Sequence, residues 1–144
     1  MTASRVCASV LACALFGGVA VADPAADVKA AYAAWDAAFN EGAAAKVAAA
    51  YADDATFLPA THDVIKGPAG VEDFFASLFE MGVTDHKLEL IEAREDGDTV
   101  VAAARWTAAG KDAAGADQPW GGVATHVFQR QPDGSLKLML HTFN

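Results

Sequence analysis

Asp53 and Asp54 stand together in the stretch YADDATFLP. Two neighbouring carboxylates do acid–base work when one is held protonated beside the other. This pair sits between an alanine-rich helical stretch and a short apolar run. Aspartate is a poor helix-interior residue and bonds local backbone amides in turns. The pair therefore reads as a solvated turn that stops a helix and introduces a strand. Two histidines are better placed for chemistry. Alternation along a strand puts Trp120, Ala124, His126 and Phe128 on one face, with Val123, Thr125 and Val127 on the other. His141 shares its strand face with Met139 and Phe143 by the same rule. A histidine in an apolar cavity can act as acid, base or hydrogen-bond donor near neutral pH. The plainer alternative is a packed core histidine bonded to a carbonyl or a carboxylate. The aromatic set Tyr32, Trp35, Phe39, Tyr51, Phe57, Trp106 and Trp120 either fills a core or lines a cavity with Met139. Trp35, Trp106 and Trp120 suit a cavity wall best, as large rings with one polar handle. His62, Asp85 and His86 read as solvated, Arg105 as a surface ion-pair partner, and Asn144 as a tie between terminus and sheet.

These side chains need elements to hold them. Asp23 followed by Pro24 opens a helix as cap and first turn. Val28, Tyr32, Trp35 and Phe39 follow at helical spacing, and Gly42 suits the cap at its end. A second helix is expected over roughly Ala43 to Ala52, with Val47 and Tyr51 inward. Short strands are expected over Ala55–Leu58 and His62–Ile65. Gly67-Pro68 then opens a third helix whose apolar face is Val71, Phe74, Phe75, Leu78 and Phe79. From Lys87 the period changes to two. Asp96-Gly97-Asp98 and Pro132-Asp133-Gly134 are turn signals between long strands at Thr99–Ala109, Pro119–Arg130 and Leu136–Asn144. Helices first and strands afterwards make an α+β fold. Three N-terminal helices would pack on a strongly curved antiparallel sheet, a cone-shaped half-barrel with a cavity.

The first 22 residues are expected to stand outside that domain. Arg5 precedes an apolar run from Val6 to Val21, and Ala20-Val21-Ala22 is a small-x-small cleavage pattern. That is a secretory signal peptide. The run is shorter than the roughly 20 residues of a spanning helix. It also continues past Cys13, against a lipidation box at Val10–Cys13. Cleavage would leave residues 23–144 as one domain, exported to the periplasm or beyond and free of the membrane. Both cysteines, Cys7 and Cys13, would leave with the signal, so no disulfide, thiol nucleophile or cysteine metal site is expected. The net charge of −9 becomes one unit more negative and argues against nucleic acid as partner. No tight ligand spacing points to a metal, and no glycine-rich or phosphate-loop motif points to a cofactor.

Four stretches carry a resemblance. AAWDAAFNEGAAAKVAAAYADDATFLP, VIKGPAGVEDFF, GDTVVAAARWT and PDGSLKLMLHTFN resemble, in that order, segments of the SnoaL-like and ketosteroid isomerase-like superfamily, which has the nuclear transport factor 2 fold. The resemblance covers nearly all of residues 23–144. It implies the curved half-barrel, and a homodimer through the outer sheet face. Ketosteroid isomerases keep a carboxylate base at the position of Pro59, an oxyanion-binding tyrosine at that of Trp35 and a protonated aspartate near that of His126. All three differ here, which argues against that reaction by that route. His141 lies where a large subgroup ends on aspartate.

The fold serves isomerases, cyclases, dehydratases, hydrolases and binding modules alike. Three functions stay open on the sequence. The first is a domain that holds a small, largely apolar molecule. The second is a small cofactor-independent enzyme of isomerase, cyclase or dehydratase type, with His126 and His141 as acid and base. The third is a structural or interaction domain with a filled interior.

Overall fold

A computed structural model describes residues 23–144; the expected signal peptide at 1–22 lies outside the described residues. Helix α1 spans Pro24–Asn40, and the Asp23 side chain accepts from the amides of Ala25 and Ala26 at its start. Its buried stripe is Val28, Tyr32, Trp35, Ala38 and Phe39, the spacing that lays one face against a sheet. Gly42 takes a left-handed φ of 68° just beyond the helix end, a conformation glycine adopts without strain. Helix α2 follows at Ala44–Ala48, then strand β1 at Tyr51–Leu58 and the two-residue β2 at Ile65–Lys66. Helix α3 spans Gly67–Glu80 and buries Val71 and Phe75 most deeply. Four long strands complete the chain: β3 (Thr84–Asp96), β4 (Thr99–Lys111), β5 (Asp117–Arg130) and β6 (Leu136–Phe143).

The six strands form one sheet in the order β2-β1-β6-β5-β4-β3. All pairs are antiparallel except β1 with β6, which run parallel. The sheet is curved and unclosed, and the helices cover its concave face; this is the α+β half-barrel expected. Arg130, at the end of β5, binds Glu95 on β3 at 2.6 Å and Asp27 on α1 at 2.9 Å, fixing the first helix to the rim of the sheet. Among the described residues no helix is long and apolar enough to cross a membrane.

Two local expectations change. The second helix stops at Ala48 rather than near Ala52, and Tyr51 already pairs with Leu138 of β6. Strand pairing overrides the helical preference of alanine there. The Asp pair consequently lies inside β1, not in a turn after a helix. The β1–β6 register slips between Tyr51 and Thr56, and both aspartates are exposed in that irregular stretch. The expected strand at His62–Ile65 shrinks to β2, because His62 turns at a φ of 67° with its amide bonded to the Pro59 carbonyl at 3.0 Å.

Phe57 was expected to line a cavity and is instead solid core, fully buried between α3 and β6. Its ring packs on Phe74, Phe75, His141 and Phe143. Phe57→Ala is expected to lower the unfolding free energy by about 3–5 kcal/mol. Asp53→Asn combined with Asp54→Asn should stay within about 0.5 kcal/mol of the parent. Urea titrations of the two variants measure both.

Candidate functional site

The concave face encloses a cavity of about 580 Å³, within the range of small-molecule sites. Helices α1 and α3 and the sheet all contribute to it. Helix α1 gives Trp35 and Phe39, α3 gives Phe74 and Leu78, and the strands give Trp106 and Trp120. The two strand tryptophans depend on missing side chains. A Cβ at Gly110 would lie 2.3 Å from the Trp120 ring, and one at Gly122 would lie 2.1 Å from the Asn144 carbonyl. That carbonyl accepts from the Trp106 indole N–H at 3.2 Å, and the Asn144 side chain accepts from the Val123 amide at 3.0 Å. Asn144 thus does tie the chain end to the sheet, and it positions Trp106 in the wall.

The expected lining residues divide. Trp35, Phe39, Trp106, Trp120 and His141 line the large cavity. Tyr32 does not. It borders a second cavity of about 30 Å³ together with His126. Met139 lines neither. The β5–β6 register slips between Val127 and Phe128, which pair with Leu140 and Leu138, so Met139 is the extra residue of a bulge. The slip shifts the phase of the strand, so Leu138 takes the inward place expected of Met139, while His141 and Phe143 face inward as expected.

His126 and His141 pair across β5 and β6 with ring centroids 4.5 Å apart. They are close, as expected, but they do not share the open cavity: His141 is in its wall and His126 is 2 % exposed behind it. Each ring is anchored at Nδ1 by a tyrosine hydroxyl at 2.7 Å, Tyr32 for His126 and Tyr51 for His141. A buried O–H left without an acceptor is costly. The phenol protons therefore go to Nδ1, and each imidazole carries its own proton on Nε2. Burial raises the pKa of both tyrosines, with the charge of Asp36 adding to the effect at Tyr32. Burial also pushes the His126 pKa down to about 3, with a smaller push in the same direction from the neighbouring His86. His141 is lowered well below the ordinary value by burial and then by His126 and His86. At neutral pH both rings are neutral, and neither is a charged acid.

A third histidine, read from the sequence as solvated, belongs to the cavity. His86 lies inside β3, its side chain is only 9 % exposed, and it lines the wall. Its Nδ1 meets Asp36 Oδ1 at 2.8 Å, while Asp36 Oδ2 accepts from the Leu88 amide at 2.9 Å. Asn40 clamps the same residue through its backbone: its amide donates to the His86 carbonyl at 2.9 Å, and its oxygen accepts from the His86 amide at 2.8 Å. Two signals pointed here. Asp36 and Asn40 are four apart on one helix face. His86 is also in phase with Leu88 and Leu90, the inward residues of the strand. Among the described residues no group of three or more His, Cys, Asp or Glu is arranged to hold a metal ion.

The two neutral histidines set an acid limit on stability. Unfolded histidine takes up a proton near its ordinary pKa of about 6.5, whereas the folded rings refuse it until far lower pH. Their contribution is complete above that value and is lost as pH falls through the range down to about 3. The loss runs at about 1.4 kcal/mol per pH unit for each ring. Urea midpoints should fall steeply between pH 6.5 and pH 4, and less steeply in a His126→Asn variant. Equal slopes in the two proteins would contradict this.

Residues 31–138 match the family described as the SnoaL-like domain. The fold is similar to that of several solved structures. A Xanthomonas campestris protein assigned as a calcium/calmodulin dependent protein kinase II association domain is 25% identical, with 87% of this chain and 89% of that chain covered and a TM-score of 0.71. A ketosteroid isomerase-like protein from Erwinia carotovora atroseptica is 21% identical over 82% of this chain and 92% of its own, with a TM-score of 0.71. A nuclear transport factor 2-like superfamily protein from Salmonella enterica is 12% identical over 84% and 89%, with a TM-score of 0.68. No curated protein matches the sequence. The match over most of the chain decides the family: the protein belongs to the SnoaL-like domain family, on the nuclear transport factor 2-like fold.

Proposed function

We propose that this protein is an exported SnoaL-like domain that holds a small, largely apolar molecule in its aromatic-walled cavity. The observation that carries the reading is the cavity itself, about 580 Å³ with a mainly apolar wall and a few polar atoms at His86, His141 and Asn144. That mix gives a ligand most of its binding through buried apolar area and its orientation through a few hydrogen bonds. A filled interior, the structural alternative, leaves no such space. The sequence pattern Ala20-Val21-Ala22 supports export.

The second reading, a cofactor-independent acid–base enzyme, is favoured by one observation and weakened by another. It is weakened at His126 and His141, because both are neutral and only His141 borders the large cavity. It is favoured by the Asp36–His86 pair, which keeps a titratable ring in the wall.

Native mass spectrometry of protein purified from its own host tests the first reading. The expected result is a chain beginning at Asp23 with a retained small molecule, lost in Ala124→Leu, which adds volume to the cavity wall. A chain that carries nothing and binds no apolar probe would refute it.

We also propose a homodimer through the outer face of the sheet. Val101 and Val123 are 43% and 45% exposed there on neighbouring strands. Sedimentation should show two chains per particle, and Val101→Asp with Val123→Asp should shift it to one.

A further inference from the structure

Of the three inward-facing histidines, His86 differs from the other two in what its bound nitrogen meets. His141 receives a proton from Tyr51, so its Nε2 is a donor. His86 meets a carboxylate, which only accepts, so Nδ1 carries a proton, and in the neutral ring it is Nε2 that holds the lone pair. The ring is held fast. Asp36 grips it from α1, Asn40 fixes its backbone, and Trp35 and Phe39 pack on it at 4.8 Å and 4.7 Å between centroids. Around it, the cavity wall contains no Lys, Arg, Asp or Glu.

That combination selects a kind of ligand. A carboxylic acid arrives already ionised at neutral pH. It would have to shed its water in a wall without Lys or Arg, near the negative charge of Asp36. An amine arrives as a cation and meets no Asp or Glu side chain in the wall. An uncharged molecule with a weakly acidic hydroxyl meets neither cost. It enters neutral and acquires charge only when a counter-charge appears beside it.

Resting on the cavity reading above, we propose that the ligand is a largely apolar phenol or enol, and that His86 accepts its hydroxyl proton at Nε2 on binding. The O–H bond breaks with its electron pair left on oxygen, and an Nε2–H bond forms. His86 becomes an imidazolium between the new oxyanion and the Asp36 carboxylate. The total charge of the site is unchanged, and no oxidant or other reactant is involved. Asp36 is a positioning residue: it sets the tautomer and stabilises the cation. His86 is the group that touches the ligand.

The probe is meta-nitrophenol, mostly un-ionised in neutral buffer, whose absorption moves to longer wavelength on ionisation. Its methyl ether, which has no proton to give, is the control for cavity binding. The full chain is expected to bind both compounds, and to produce the long-wavelength band with the phenol. His86→Gln should abolish the band while the ether still binds. Asp36→Asn should cut the ionised fraction of bound phenol by about tenfold or more, the scale on which a neighbouring carboxylate moves a proton equilibrium. A bound phenol without the band, or a band that survives His86→Gln, overturns the proposal and leaves the cavity reading standing. Failure of both compounds to bind overturns the two together.

Discussion

Every histidine that faces the interior is fastened at Nδ1 to a side chain from another element. Tyr32 of α1 holds His126 of β5, Tyr51 of β1 holds His141 of β6, and Asp36 of α1 holds His86 of β3. A polar ring can be buried under helices only if it is paired, since an orphaned buried group costs more than a pair returns. Three such pairings bring α1 into register with both the middle and the edge of the sheet, and β1 into register with β6. They also decide what the interior presents. A tyrosine donates and so leaves an N–H on the far side of the ring; an aspartate accepts and leaves a lone pair. The same residue type therefore offers opposite polarity at His141 and at His86.

The hollow survives because backbone approach is close where the wall needs it. Gly110 and Gly122 give up their side chains to Trp120 and to the Asn144–Trp106 contact. The tryptophans then extend across the strands instead of pointing past them, and a large ring covers wall that two smaller side chains would otherwise fill. Phe57, Phe74 and Phe75 close the opposite side by packing on one another. The aromatic residues thus do two jobs, and Phe74 and Phe75 share in both, packed on Phe57 and bordering the cavity. Phe57 makes a solid floor under α3, and the tryptophans border open space.

Periodicity made the fold legible. The stripe Val28, Tyr32, Trp35 and Phe39 and the long alternating strands needed only local rules. What stayed hidden was non-local. Nothing near Tyr51 announces that it will pair with Leu138, so alanine preference extended α2 too far and hid the irregular stretch that carries Asp53 and Asp54. Nothing in LKLMLHTF marks the bulge, so strict alternation put Met139 on the inner face. The site was half legible for the same reason. His126 and His141 were found together because adjacent strands joined by a turn have a simple register. The Asp36–His86 pair joins residues 50 apart in the chain, and its two signals, a helical i, i+4 pair and one more step of strand alternation, pointed at each other without either naming its partner.

Two neighbours on α1 then take different directions. Trp35 turns a bulky indole into the cavity, between His86 and His141. The next residue, Asp36, is about 100° further around the helix. It points not into the space but across to β3. A carboxylate placed there is shielded from any ligand by the histidine it holds, and it can act only through that ring. The Asp36 carboxylate sits behind an imidazole, so it orients that ring instead of meeting the contents of the cavity directly.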